Sequence, residues 1–245
     1  MKTCIFSPIC QFAQFEKDNI VFEHEFNFSN DDSLYFRKLF RKSNGNVSEC
    51  GVSCIMWNLT ESLLSKNRLL SRNTLSLATP KLMGQCRKIF DKAMEHPEWA
   101  LMCVPTHLSY DEFAAIFTYH AICTLWRMYV GRTAVYHLNF SEYLDSERKS
   151  WNINDDIDSD LIAKRNVIAG KTDGVIKKNM LVISGIDYVN FKDYESSSLL
   201  KILGTRRSNQ LPTIVVGPEP STILGTGQVM NALTGVLQEH KVTNI

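Results

Sequence analysis

The chain has 245 residues, of which 44% are hydrophobic and 22% are charged, and its formal net charge is +1. This composition is typical of a globular protein and excludes an intrinsically disordered one. The near-neutral charge excludes a strong bulk attraction to nucleic acid, so any such binding must be local. No apolar run approaches the roughly 18 residues that a membrane helix needs, so no membrane is expected as a partner.

The N-terminal sequence and the cysteines both predict a cytoplasmic protein. The chain starts with MKTCIFSPICQF, in which one lysine precedes a short apolar stretch broken by proline, and this is unlike a signal peptide. The seven cysteines are an odd number and lie in apolar segments, as Cys103 and Cys123 do. That distribution suits a reducing compartment better than a disulfide framework.

Residues 1–80 are predicted to be a separate, small α+β domain that binds a partner. Alternation in residues 20–28, IVFEHEFNF, favours a strand or hairpin, and the basic stretch at 34–42 is interpreted as a helix. A structural zinc site would staple a domain with so small a core. The candidate ligands are Cys4, Cys10, Cys50 and Cys54. Their spacings are looser than the usual two-residue knuckle, so buried free cysteines are the alternative.

Residues 81–245 are predicted to form the core. Residues 56–77 suggest a helical link, after which a helix is expected over 81–95, a strand over 99–104, and then a loop and a long helix that ends at Gly131. The next strand is predicted at 133–140 and the next helix at 141–149, with Ser141 as its N-cap. Residues 152–160, NINDDIDSD, form an acidic surface loop.

The segment from Met180 to Gly217 has the order strand, helix, strand. Apolar blocks at 180–183 and 213–216 flank a helical pattern over 194–205, which Gly204 is expected to end. Such a βαβ unit predicts a parallel sheet covered by helices. Arg206 and Arg207 either cap that helix or pair across a subunit interface.

The strand, loop and helix over 99–131 have the placement of a phosphate-binding loop, but not its chemistry. Such a loop needs glycines, a lysine and a hydroxyl residue for magnesium. Val104–Asp111, VPTHLSYD, has no glycine, and it carries Tyr110 where the lysine would stand and Asp111 where the hydroxyl would stand. A carboxylate there would repel a nucleotide, so ATP and magnesium are not expected as cofactors.

The spacing of LVI at 181–183, Tyr194-Glu195, Arg206-Arg207-Ser208 and Pro212-Thr213 resembles the DnaC-type bacterial replicative helicase loaders. These form the IstB–DnaC branch of the AAA+ ATPases, and the resemblance covers about residues 80–235. It implies an α/β fold whose parallel-sheet, P-loop (AAA+-like) core has helices on both faces.

The same resemblance implies that nucleotide hydrolysis is lost. Ser184 and Gly185 stand at the positions of the two strand-end acids, and Gln228 and Ala232 stand at the two arginines of the arginine-finger helix. The polar sensor residue is also missing beyond Pro218. With the altered loop, these departures fall at four separate places and predict a degenerate pseudo-ATPase, not an enzyme.

The resemblance further implies two contacts with single-stranded DNA. One is Trp151 with Arg148 and Lys149, and the other is Tyr194 with Lys192. Aromatic stacking backed by basic side chains is how such strands are held. The alternative is that both aromatic rings merely pack on helices.

Three functions are compatible with these patterns. The first is a replication accessory protein that binds the replicative helicase through residues 1–80 and single-stranded DNA through the core, as an adaptor or an inhibitor. The second is a non-catalytic subunit that docks on an active AAA+ partner in a transposition, mobile-element or phage-defence complex. The third is an active ATPase with an unorthodox loop. Assembly into an oligomer is compatible with each.

Overall fold

The computed structural model describes residues 21–28, 34–43, 46–49, 77–129, 134–151, 159–170, 179–243 and 245. In the N-terminal part, β1 (Val21–Phe28), β2 (Leu34–Ser43) and β3 (Asn46–Glu49) form an antiparallel sheet in the order β1-β2-β3. The predicted strand at 20–28 is confirmed, but the helix predicted over 34–42 is wrong. The sequence LYFRKLFRKS fits both a period of two and a helical period, and pairing with β1 along its length selects the strand.

The remaining elements alternate between strands and helices. In chain order they are α1 (Pro80–Glu95), β4 (Ala100–Cys103), α2 (Tyr110–Tyr129), β5 (Ala134–Asn139), α3 (Phe140–Trp151), α4 (Ser159–Ile168), β6 (Asn179–Ser184), α5 (Asp193–Ser208), β7 (Thr213–Val216), α6 (Gln228–Glu239) and β8 (Lys241–Val242). A short 3-10 turn, Pro220–Thr222, precedes α6. Helix α4 and strand β8 were not predicted.

The five strands β4 to β8 form one parallel sheet in the order β5-β6-β7-β4-β8. Alternate residues of each strand enter two different cores: Leu101 packs with α1 and α2, whereas Met102 packs with α3 to α6. Helices therefore cover both faces, and the predicted α/β class with a parallel sheet is confirmed.

Two predicted helix boundaries are wrong. Helix α3 is capped by Asn139, whose Oδ1 accepts from the Glu142 N–H at 3.3 Å and from the Ser141 hydroxyl at 2.8 Å. Helix α5 continues through Gly204 to Ser208 and ends before Gln210, which has φ 51°. Asn and Ser are both favoured N-cap residues, so the sequence does not decide between Asn139 and Ser141. A non-glycine residue in the left-handed region is uncommon, so the sequence pattern favours an end at Gly204.

Arg206 does not cap its own helix. It is 0% exposed, and its guanidinium donates to Thr213 Oγ1 at 2.7 Å and Pro212 O at 3.0 Å. It also donates to Val167 O at 3.3 Å and Ile168 O at 3.4 Å, which are carbonyls in the last turn of α4. Arg206 thus joins α4, α5 and β7, and this burial lowers its pKa to about 9.

Several sequence predictions lie outside the described residues. These are the zinc ligands Cys4, Cys10, Cys50 and Cys54, the helical link before residue 77, and most of the acidic loop. Among the helices of the described ranges, none combines the length and the apolar character required to traverse a bilayer.

Candidate functional site

The loop after β4 turns its backbone donors toward the C-terminal end of the chain. The Val104 N–H donates to Val242 O at 3.1 Å, and the Thr106 N–H donates to Ile245 O at 3.0 Å. The Thr106 hydroxyl donates to the same Ile245 oxygen, also at 3.0 Å. A phosphate-binding loop presents such N–H groups to an anion, whereas here carbonyl oxygens of the chain accept from two of them.

The first turn of α2 is closed by a capping box. The Ser109 N–H and hydroxyl both donate to Glu112 Oε2, at 3.0 and 2.8 Å, and the Glu112 N–H donates to Ser109 Oγ at 3.3 Å. The Glu112 carboxylate is therefore an anion of the chain itself at the N-terminus of α2, where the helix dipole favours negative charge.

A hydrogen-bonded chain of three side chains links α2 to the two neighbouring strands β5 and β6. Ser184 Oγ donates to Asp111 Oδ1 at 3.0 Å, and His137 Nε2 lies 2.8 Å from Ser184 Oγ. A serine hydroxyl has one proton, so the proton between His137 and Ser184 must belong to Nε2. Burial lowers the pKa of His137 to about 4, which keeps this imidazole neutral at physiological pH.

This contact joins two of the residues that the sequence singled out. The resemblance places Ser184 where an ATPase has an acid and Asp111 where it has a hydroxyl, and the two are in hydrogen-bond contact. Tyr110, at the lysine position, is partly buried against the core.

Further negative charge surrounds Asp111. Burial raises the pKa of Asp187, and the nearby charge of Asp111 raises it further. Oδ1 of Asp187 has no hydrogen-bond partner among the described residues. The Tyr188 hydroxyl lies 3.5 Å from Asp111 Oδ2. A phosphate would meet carboxylates here instead of a compensating lysine.

Gly185 is required by its surroundings. Its φ is +72°, and a Cβ added there would overlap the side chain of Asn139, the cap of α3. An acid at position 185 is therefore incompatible with this backbone. Gln228, by contrast, is the exposed first residue of α6, Ala232 lies exposed one turn later, and the Gln228 side chain makes no hydrogen bond with the described residues.

The residues predicted to bind DNA lie at the ends of α3 and α5, and two of them are used within the chain. The Tyr194 hydroxyl donates to Glu147 Oε2 at 3.0 Å, and Arg148 forms an ion pair with Glu195 at 2.6 Å. Lys149 and Lys192 are exposed, and Trp151 is the last residue of α3.

The sequence did not reveal Glu147 as the centre of this region. Its carboxylate accepts from Tyr143 at 2.8 Å, Tyr194 at 3.0 Å, Arg165 at 3.2 Å and Ser198 at 3.2 Å, which brings α3, α4 and α5 together. Burial alone would raise the pKa of Glu147, but these four donors outweigh it and lower the pKa. The i, i+4 spacing of Tyr143 with Glu147 and of Tyr194 with Ser198 was the available signal.

A cavity of about 590 Å³ opens beside Glu147, between α4 and α5. All four donors to Glu147 line it. The remaining walls are formed by Ile168, Ala169, Ser197, Lys201, Ile202 and Thr205. This cavity is hereafter called the α4–α5 groove.

The described part of the chain contains no group of three or more His, Cys, Asp or Glu side chains that could hold a metal ion.

No known protein family matches the sequence, and no curated protein matches it either. Among solved structures, the chain is similar to domain III of the replication initiation protein DnaA from Thermotoga maritima. The TM-score is 0.42 and the identity is 12%, and the alignment covers 65% of this chain and 61% of that one.

Proposed function

We propose that this protein is a nucleotide-independent accessory protein with an AAA+-like core, which binds a replicative helicase as an adaptor or inhibitor and also binds single-stranded DNA. The observation that carries the proposal is the occupation of the nucleotide position by the chain's own groups. Ile245 O accepts from the loop, Glu112 caps the helix, and Asp111 binds Ser184.

Each of these contacts opposes one requirement of ATP hydrolysis. The loop offers fewer free N–H groups to a phosphate, and Glu112 and Asp111 repel one. The neutral Ser184 hydroxyl does not replace the acid that holds magnesium. Such a protein cannot use hydrolysis to leave its partner, so it acts by remaining bound to that partner.

The test is calorimetry with ATP and Mg²⁺, alongside binding of single-stranded DNA by the same preparation. We expect no magnesium-dependent ATP affinity and measurable DNA affinity. Magnesium-dependent ATP binding that changes in an Asp111→Ser variant would overturn the proposal.

The DNA-binding experiment needs variants that distinguish loss of base stacking from loss of folding, because the Tyr194 hydroxyl also donates a hydrogen bond to Glu147. Tyr194→Phe keeps the ring and should keep DNA affinity. Combined alanine substitution of Trp151 and Tyr194 should abolish it, at about 1–3 kcal/mol per stacked base. Equal DNA binding by both variants would exclude this contact.

The second candidate is a non-catalytic subunit that docks on an active AAA+ partner without touching DNA. It is favoured by the internal use of Tyr194 and Arg148 and by two exposed apolar side chains, Leu224 at 73% and Tyr188 at 68% exposure. Retained partner binding together with absent DNA binding would select it.

A further inference from the structure

The α4–α5 groove is a formed cavity of which the proposed function uses only the Tyr194 ring. Its volume of about 590 Å³ lies within the range of about 300–1,000 Å³ typical of small-molecule sites. Its base is fixed because Tyr143, Tyr194, Ser198 and Arg165 are all held by Glu147. A site whose walls are already ordered loses little entropy when a ligand enters.

One wall of the groove carries a row of unused polar groups. Ser197, Lys201 and Thr205 follow one another at intervals of four residues, so they lie on one face of α5 and span about 12 Å. Within the described residues, their side chains have no hydrogen-bond or ion-pair partner. Each can therefore bind a ligand without breaking an internal contact.

The charges in the groove favour an anion. Arg165 and Lys201 contribute two positive charges, and Glu147 contributes one negative charge. One guanidinium nitrogen of Arg165 donates to Glu147 at 3.2 Å, and the Arg165 side chain is 45% exposed. A guanidinium has five donors in a planar fork, which suits a phosphate group.

The same groove offers an aromatic surface. The Tyr194 ring is partly buried, and its hydroxyl is anchored at 3.0 Å from Glu147, so the orientation of the ring is set. Ile168 and Ile202 add apolar lining. A flat ring can stack in this position while an attached anion reaches the cations.

We propose that the α4–α5 groove binds a nucleoside carrying a phosphomonoester, either a free nucleotide or the 5′ end of a strand. Arg165 and Lys201 hold the phosphate, Ser197 and Thr205 bind polar atoms of the sugar or base, and Tyr194 takes the face of the base. This site is separate from the Asp111–Ser184 position, and it needs neither magnesium nor hydrolysis.

The test is calorimetry of the full chain with AMP, adenosine and inorganic phosphate, without magnesium. We expect AMP to bind at least tenfold more tightly than either fragment. Lys201→Ala should weaken AMP by about tenfold or more, the usual effect of losing one charge-assisted hydrogen bond. Thr205→Val, which keeps the side-chain shape, should weaken it less. Lys88→Ala, at an exposed lysine of α1, is the matched control and should change nothing.

A second arm distinguishes the two sources of the ligand. Oligo(dT) with and without a 5′ phosphate is compared with AMP, using the same variants. If the oligonucleotide binds only with its 5′ phosphate and Lys201→Ala weakens this binding, the ligand is a strand end. If only AMP binds, the ligand is a free nucleotide.

The proposal is overturned if neither ligand binds, if inorganic phosphate binds as tightly as AMP, or if Lys201→Ala matches Lys88→Ala. The partner-binding and magnesium-dependent ATP assays do not involve this groove, so a failure of AMP binding leaves those parts of the proposed function standing, and the reverse also holds. The DNA assay shares Tyr194 with the groove, and Lys201→Ala separates the two because only the groove proposal predicts that this variant weakens binding.

Discussion

Substitution of Arg206 by methionine should destabilise the core more than any change at its neighbour. The guanidinium is fully buried and donates to four oxygens, three of them backbone carbonyls. Methionine fills much of the same volume but donates nothing, so four hydrogen bonds to a charged donor are lost, although Pro212 O and Val167 O keep the N–H groups of Leu181 and Gly170 as donors. A hydrogen bond to a charged group contributes about 1.5–3 kcal/mol.

A second effect of opposite sign must be subtracted. Burial lowers the pKa of Arg206 to about 9, which corresponds to a desolvation cost of about 4–5 kcal/mol that methionine removes. The loss of four hydrogen bonds to a charged donor outweighs this recovery, and the net loss in the free energy of unfolding should be about 2–4 kcal/mol. The loss is at the upper end if water cannot reach the carbonyls of α4.

The assay is urea denaturation followed by far-UV circular dichroism. With a slope of about 2 kcal/mol per molar urea, the midpoint should fall by about 1–2 M at unchanged slope. Arg207→Met is the matched control, because Arg207 is exposed on the same helix, and it should shift stability by about 0.5 kcal/mol or less. Arg206→Lys should lie between the two.

Equal midpoints for the Arg206 and Arg207 variants would refute this reasoning. They would mean that burying the guanidinium costs as much as its hydrogen bonds return. A change in oligomeric state in the Arg207 variant alone would instead support a subunit contact through Arg207.

Three further predictions concern single side chains. The folded-state pKa of His137, about 4, is lower than its ordinary value, so the free energy of unfolding should fall as pH drops from about 6.5 to 4. In urea titrations at several pH values, His137→Asn should reduce this dependence of stability on pH. In thermal unfolding, Glu147→Gln should lower the free energy of unfolding by about 1–3 kcal/mol, because it weakens four hydrogen bonds. Tyr194→Phe should lower it by less, because it removes only one of them. Equal losses would contradict a central role for Glu147. Gly185→Ala should destabilise the protein by about 1–3 kcal/mol. Gly84→Ala should stabilise it by up to about 1 kcal/mol, because Gly84 lies in α1 with open space around its Cα. Chemical denaturation measures both changes and distinguishes their opposite signs.

The parallel sheet was predictable because its strands are nearly uninterrupted apolar blocks. Residues 180–183 and 213–216 are almost wholly apolar, as strands buried on both faces are, and they form the centre of β6 and the whole of β7. The strand β2 was not predictable from local pattern, since its apolar spacing fits a helix equally well. Its partner, β1, decides the outcome.

The site was predictable only where its parts are local. The residues at 110, 111, 184 and 185 could be identified from their positions after two strands, and the Ser109–Glu112 capping box has a recognisable spacing. The Glu147 network joins three helices through contacts between residues 18 to 51 positions apart. No spacing rule connects such residues, so the α4–α5 groove was missed.

The hydrogen bond between Asp111 and Ser184 makes these two positions interdependent. An acid at 184 alone would place a second carboxylate within about 3.0 Å of Asp111, with Asp187 close by. A hydroxyl residue at 111 alone would leave Ser184 without its acceptor. Each single substitution therefore gives a less stable protein, and the backbone at Gly185 excludes an acid at the next position. Positions 111 and 184 are thus an epistatic pair, in which the effect of one substitution depends on the residue at the other.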